Sequence, residues 1–193
     1  MRSIETKLAK LLRKNPWMEP RQATREILQA AAEPTGIEEK RRRVIRIVDR
    51  MGKALRPHVA CEPGCSQCCH MNTMIYEHEA KRLAEVSGRQ MTTLPYRPLD
   101  VVFAEGAKYN FLPCPFLLNN KCSVYNDRPL VCRTHHSLSN SADDCNPFIS
   151  LQRPPMYDPD IVEVPYRMLN TAANPLEPWG NIAEFFPMAS DAK

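Results

Sequence analysis

Cys61-Glu62-Pro63-Gly64-Cys65-Ser66-Gln67-Cys68-Cys69-His70 places four thiols within nine residues. A second set follows at Cys114, Cys122, Cys132 and Cys145. Thiolate is the ligand of zinc and of iron–sulfur clusters, and each usually takes four protein ligands. Eight thiols therefore match two four-cysteine sites, or one such site with the others employed elsewhere. Cys65-x-x-Cys68 is a chelating spacing, because one tight turn can aim both sulfurs at one ion. Cys68 and Cys69 are adjacent, and adjacent side chains diverge in helix or strand. They serve two centres, or one ligand and one structural role, more readily than a single ion. A solitary cysteine is commonly a small buried hydrophobe, but four in nine residues is not a core pattern.

The rest of the composition narrows the setting. Eight cysteines in 193 residues fall below the density of a small disulfide scaffold. The opening Met1-Arg2-Ser3-Ile4-Glu5-Thr6-Lys7 is interrupted by charge and lacks the apolar stretch of a signal peptide. No window approaches the run of about 18 apolar residues that spans a membrane. The expectation is a cytoplasmic chain without a membrane partner, whose thiols stay reduced and meet metal rather than one another.

Residues 1–60 hold 15 Lys/Arg against 7 Asp/Glu, and the remainder 11 against 15. Apolar periodicity predicts helices over residues 3–14, with Ile4, Leu8, Leu11 and Leu12 on one face, and from Pro20 to about Ala32. A third helix starts at Thr35-Gly36-Ile37-Glu38, read as a capping box with Thr35 as cap. Val44, Val48, Met51 and Leu55 form its stripe, and Pro57 closes it. Arg41, Arg42, Arg43, Arg46 and Arg50 cover much of its other surface. Such a face is ordinarily solvated; its second reading is contact with nucleic acid or an acidic partner. No aromatic residues are interleaved for base stacking, which weakens the single-strand version.

Tyr76 to about Val86 reads as a short helix ending at Gly88, with Glu77 and Glu79 in its first turn. Asp100-Val101-Val102-Phe103 is compatible with strand or helix. Asn119-Asn120 between apolar flanks predicts a hairpin-like turn, since Asn tolerates positive φ. Asn126-Asp127-Arg128-Pro129 predicts a second turn. The seven prolines from Pro154 to Pro187 predict an extended tail anchored by Trp179, Phe185 and Phe186. The expected architecture is mostly α with irregular cysteine-rich loops: a basic amphipathic helical extension over 1–57, a small metal-stabilised domain over 58–150, and a proline-rich wrap over 151–193.

Cys61-x-x-x-Cys65-x-x-Cys68 also has the spacing of a radical S-adenosylmethionine motif. Gln67 stands where that motif usually carries an aromatic residue, and the chain lacks repeated βα units, so the reading is rejected. The better match is wider. Cys61 to Cys69, Cys114-Pro115-Phe116-Leu117, Cys122-Ser123-Val124-Tyr125 and Arg128-Pro129-Leu130-Val131-Cys132-Arg133 together resemble the YkgJ family of cysteine-cluster proteins, also called the zinc- or iron-chelating CxxCxxCC domain. The resemblance covers about residues 58–148. It implies metal chelation by Cys61, Cys65, Cys68, Cys69, Cys114, Cys122, Cys132 and Cys145, without an assigned reaction. A related cluster occurs in flagellin lysine-N-methylases, where an iron–sulfur cluster is implicated. The chain departs from the common pattern at Cys145, which lies well beyond Cys132; His135 and His136 are its alternative donors.

Arg128 and Arg133 are expected near the thiols, where guanidinium groups offset the negative charge of a thiolate-bound metal. Cys114-Pro115 and the all-sulfur donor set lean toward an iron–sulfur cluster of the 4Fe-4S type over zinc. Two function classes follow. One is a metal centre serving redox chemistry or a modification enzyme through an unidentified protein partner. The other is a structural-zinc interaction module acting through the basic helices. No Ser-His-Asp order, phosphate-binding glycine loop or legible carboxylate pair points to a specific catalysis.

Overall fold

The N-terminal periodicities become three helices in the computed structural model, which describes residues 2–62, 64–149 and 154–188. Helix far exceeds strand among them. The chain divides into two compact units. The first comprises Met1–Cys61, Arg133–Asp144 and Gln152–Pro175; the second comprises Glu62–Cys132, Cys145–Leu151 and Leu176–Lys193. No helix among the described residues is long and apolar enough to cross a membrane.

In the first unit, α1 (Arg2–Lys14), α2 (Pro20–Ala32) and α3 (Ile37–Leu55) are joined by α7 (Asp160–Ala173). Leu11, Met18, Ile27, Val44, Val48, Val162 and Tyr166 are buried, so the stripes read from sequence do face a core. Arg41 Nε donates to Asn170 Oδ1 at 2.9 Å and ties α3 to α7. The basic face of α3 is compensated within the unit. Arg41 pairs with Glu38 (2.6 Å), Arg42 with Glu39 (3.0 Å), Arg43 with Glu33 (3.1 Å), Arg46 with Glu39 (2.9 Å) and Arg50 with Glu26 (2.5 Å). Arg46 above all, with Arg43 and Arg42, holds the Glu39 carboxyl below its usual range.

Two expectations are corrected here. Thr35 is not the cap of α3. The helix begins at Ile37 with Gly36 as N-cap and no side-chain cap bond, because Glu38 turns to Arg41 instead of back to the cap. The tail is also not extended throughout. Residues 160–173 are helical despite Pro165, which removes one backbone donor. Asp158 Oδ1 accepts from Asp160 N–H at 3.0 Å and supports the helix start, and burial of Ile161, Val162, Pro165, Tyr166 and Leu169 against the unit's core stabilises the rest. Residues 151–153 and 189–193 of that tail lie outside the described residues.

The second unit carries the loops. β1 (Met74–Tyr76) pairs antiparallel with β4 (Trp179–Asn181), with Ile75 opposite Gly180. α4 (Glu77–Ser87) leaves β1 and ends at Gly88, whose φ of 69° suits its lack of a Cβ. α5 (Leu99–Gly106) resolves the ambiguous apolar run as helix. β2 (Leu117–Leu118) and β3 (Lys121–Cys122) form a hairpin whose turn residues, Asn119 and Asn120, have φ of 49° and 58°, as a type I′ turn requires. α6 (Leu130–Thr134) and α8 (Ile182–Phe185) complete the helices. The Asn126–Pro129 turn is seen as a 3-10 turn over Tyr125–Asp127. Ile75, Ala80, Leu83, Phe116, Val124, Ile182, Phe185 and Phe186 form the core, and Cys114, Cys122 and Val131 pack on it. Of the expected anchors, Phe185 and Phe186 are buried and Trp179 half-buried.

Glu184 is the polar pin of this unit. Its carboxylate accepts a two-pronged contact from Arg97, 3.0 Å on each oxygen, and the Asn181 N–H at 2.8 Å. Burial pushes its pKa up, but Arg97 and the Asn181 N–H outweigh that and leave it below the ordinary 4.5. A depressed carboxylate contributes stability above its unfolded value and loses it as pH falls through the folded one. Glu184→Gln is expected to cost roughly 2–4 kcal/mol at pH 7. Denaturant unfolding is expected to show that difference shrinking below pH 4, and an equal difference at pH 3 contradicts the assignment.

Candidate metal centre

Cys68 and Cys69 sit on a 3-10 turn over Gln67–His70. Gly64, at φ 94°, bends the preceding loop so that Cys65 N–H reaches the Glu62 carbonyl at 3.0 Å. Two backbone bonds then draw a distant segment to this turn. Phe111 N–H donates to the His70 carbonyl at 2.8 Å, and Cys114 N–H to the Cys69 carbonyl at 2.6 Å. Phe111 adopts φ 73° to make its bond, a conformation that a bulky residue rarely takes. Cys122 lies on β3 opposite Leu117. Cys132 lies on α6, whose first N–H, that of Leu130, donates to Glu79 Oε1 at 2.8 Å.

These elements bring four thiols together. Cys68, Cys114 and Cys122 oppose ionisation of Cys132, Cys122 and Cys68 oppose that of Cys114, and Cys68 opposes that of Cys122. A hydrogen bond with the Cys69 thiol, then burial, pushes Cys68 well above the ordinary thiol value. Burial is the main cause for the other three. It raises Cys114 from about 9 to about 11, raises Cys122, and raises Cys132 well above the ordinary value. Without a cation, these are four neutral thiols.

Other contacts prepare the opposite state. The Phe116 N–H bonds Cys114 and the Val124 N–H bonds Cys122, each two residues on and each favouring thiolate. Charge adds to this: Arg128 favours the thiolates of Cys68 and Cys122, and Arg89 that of Cys114. Soft donors in fours, with N–H groups and guanidinium charge turned to the sulfurs, fit a zinc or iron centre. Among the described residues, no group of three or more His, Cys, Asp or Glu side chains is already set to hold an ion.

The other predicted donors are placed differently. Cys65 is half-buried just before the turn, Cys69 is half-buried on it with its thiol hydrogen-bonded to Cys68, and Cys145 is buried within the second unit. Cys61 closes the first unit, to which His135 and His136 also belong. His136 Nε2 lies 3.2 Å from where a Cβ would stand on Gly52 of α3. Arg128 stacks over Tyr125 at 3.9 Å, with its charge near Cys68 and Cys122. Arg133 Nη1 pairs with Asp49 Oδ1 at 2.6 Å in the first unit. Arg89 was invisible to sequence reasoning. It stands 25 residues before Cys114 in a stretch without periodicity, and only the fold carries it there.

Residues 60–148 match the family model of the CxxCxxCC domain, described as a "putative zinc- or iron-chelating domain". Neither the curated proteins nor the solved structures contain a match to the chain.

The thiol set yields a pH prediction for metal-stripped protein. A thiol raised in the folded state keeps its full stability contribution below the unfolded value and loses it as pH rises toward the folded value. Chemical denaturation is expected to show constant stability from pH 7 to about 8.5, then a loss on the order of 2 kcal/mol by pH 11 from Cys114 alone. A flat profile contradicts the burial of these thiols.

Proposed function

Because the chain carries a CxxCxxCC domain over residues 60–148, we propose that Cys68, Cys114, Cys122 and Cys132 hold one metal centre in it. The observation that supports this is their juxtaposition: four thiols from four separate elements, close enough for their charges to interact. Burial makes four adjacent thiolates costly, and a divalent cation or an iron–sulfur cluster removes that cost by taking the place of the protons. The occupant is an iron–sulfur cluster of the 4Fe-4S type or zinc. An iron–sulfur cluster supplies one-electron redox chemistry, alone or as accessory to a modification enzyme; zinc supplies cross-linking of the loops.

The chain's own residues supply the rest. The Phe116 and Val124 N–H groups orient two sulfurs. Arg89 and Arg128 offset the charge of the loaded centre. The apolar core under Cys114 and Cys122 keeps water from that side. Loading releases up to four thiol protons, so acid favours loss of metal.

Elemental analysis of purified variants tests the ligand set. Cys122→Ser and Cys132→Ser are each expected to lose the bound metal and to lower the melting temperature, whereas Lys121→Ala, exposed beside Cys122, is expected to match wild type in both. Wild-type metal content in the two serine variants contradicts the proposal.

A further inference from the structure

The four thiols do not share one electrostatic setting. Arg89 Nη1 donates to the Pro115 carbonyl at 2.5 Å, one residue past Cys114. Its guanidinium lies over the rings of Phe116 at 5.2 Å and Phe186 at 5.9 Å, both buried. Positive charge is thus fixed against an apolar floor beside Cys114, where water screens it poorly. Arg128 is held over Tyr125, and its charge reaches Cys68 and Cys122.

Cys132 faces the opposite sign. Glu79 is fixed by two backbone donors, Tyr76 N–H at 3.0 Å on Oε2 and Leu130 N–H at 2.8 Å on Oε1. Leu130 is two residues before Cys132, and the Glu79 charge acts on that thiol. The two N–H bonds join the start of α4 to the start of α6, so the carboxylate has a structural duty that keeps it beside the cluster. A divalent ion on four thiolates carries a net charge of about −2. Two guanidiniums cancel that charge, and Glu79 restores part of it on one side.

We propose that Arg89, Arg128 and Glu79 form a charge shell around the four-thiol centre, in which the two guanidiniums tighten metal binding and Glu79 loosens it on the Cys132 side. The proposal rests on the ligand set given above and assigns these three residues a role in positioning charge.

The test is a competition titration. The full-length, metal-stripped chain is titrated with Zn2+ alone against a chromophoric zinc chelator, with thermal melting of the metal-free form measured in parallel. Arg89→Met and Arg128→Met are each expected to weaken zinc about 10-fold, within the span seen when partners of metal ligands are removed. Arg89→Lys keeps the charge and is expected to recover most of the loss. Glu79→Gln carries the decisive sign. It is expected to bind zinc several-fold more tightly while the metal-free protein melts lower, because its backbone bonds are weakened. A merely structural Glu79 lowers both.

Wild-type zinc affinity in both Arg→Met variants overturns the charge shell, as does weaker zinc binding by Glu79→Gln. In both cases the ligand set stands. A wild-type chain that takes up no zinc overturns the ligand set and the charge shell together.

Discussion

Four half-buried thiols, each held above its ordinary pKa, are the constraint around which the second unit is built. Each sulfur is more costly as thiolate because of burial, and Cys114, Cys122 and Cys132 are more costly again because of other thiols of the set. An apolar core alone favours the neutral thiols. Yet the same structure turns two backbone N–H groups and two guanidiniums toward them, and these favour the anions. Opposed preferences of this kind are reconciled by a cation at the centre. The arrangement makes physical sense as a receiver of metal and little sense as a cluster of hydrophobes.

The scaffold holds the four positions with few residues. Cys68 comes from a 3-10 turn, Cys114 from a segment tied to that turn by main-chain bonds, Cys122 from a two-residue strand, and Cys132 from a five-residue helix. None of these elements is long enough to be stable alone. Their support comes from Glu79, which bridges the starts of α4 and α6, from Glu184, which joins Arg97 to the start of α8, and from the aromatic floor of Phe116 and Phe186. The Phe111 backbone, held at positive φ beside the thiols, shows local strain accepted where the cysteines must meet.

Much of the helical structure was legible because its signals are local. Pro20 and Pro34 bracket α2, Gly88 ends α4 in the left-handed conformation, and Asn119-Asn120 makes the hairpin turn by tolerating positive φ. What failed were readings in which a local rule met a tertiary competitor. Glu38 finds Arg41 before it finds the cap, and burial carries α7 through Pro165. The site was half legible. Spacing singled out all eight cysteines but could not say which lie near one another, because long-range bonds tie Cys114 to the Cys69 carbonyl and the start of α6 to Glu79. Arg133 matched Arg128 in sequence yet answers to Asp49, while Arg89 carried no sequence signal at all.

Metal binding by these thiols is tested most directly by the metal and acid-labile sulfide content of protein purified without oxygen, with its visible spectrum before and after dithionite. The expected result is a stoichiometric metal: iron with matching sulfide and a bleachable brown colour, or zinc in a colourless protein. Metal-free protein with all eight thiols titrating as free contradicts it.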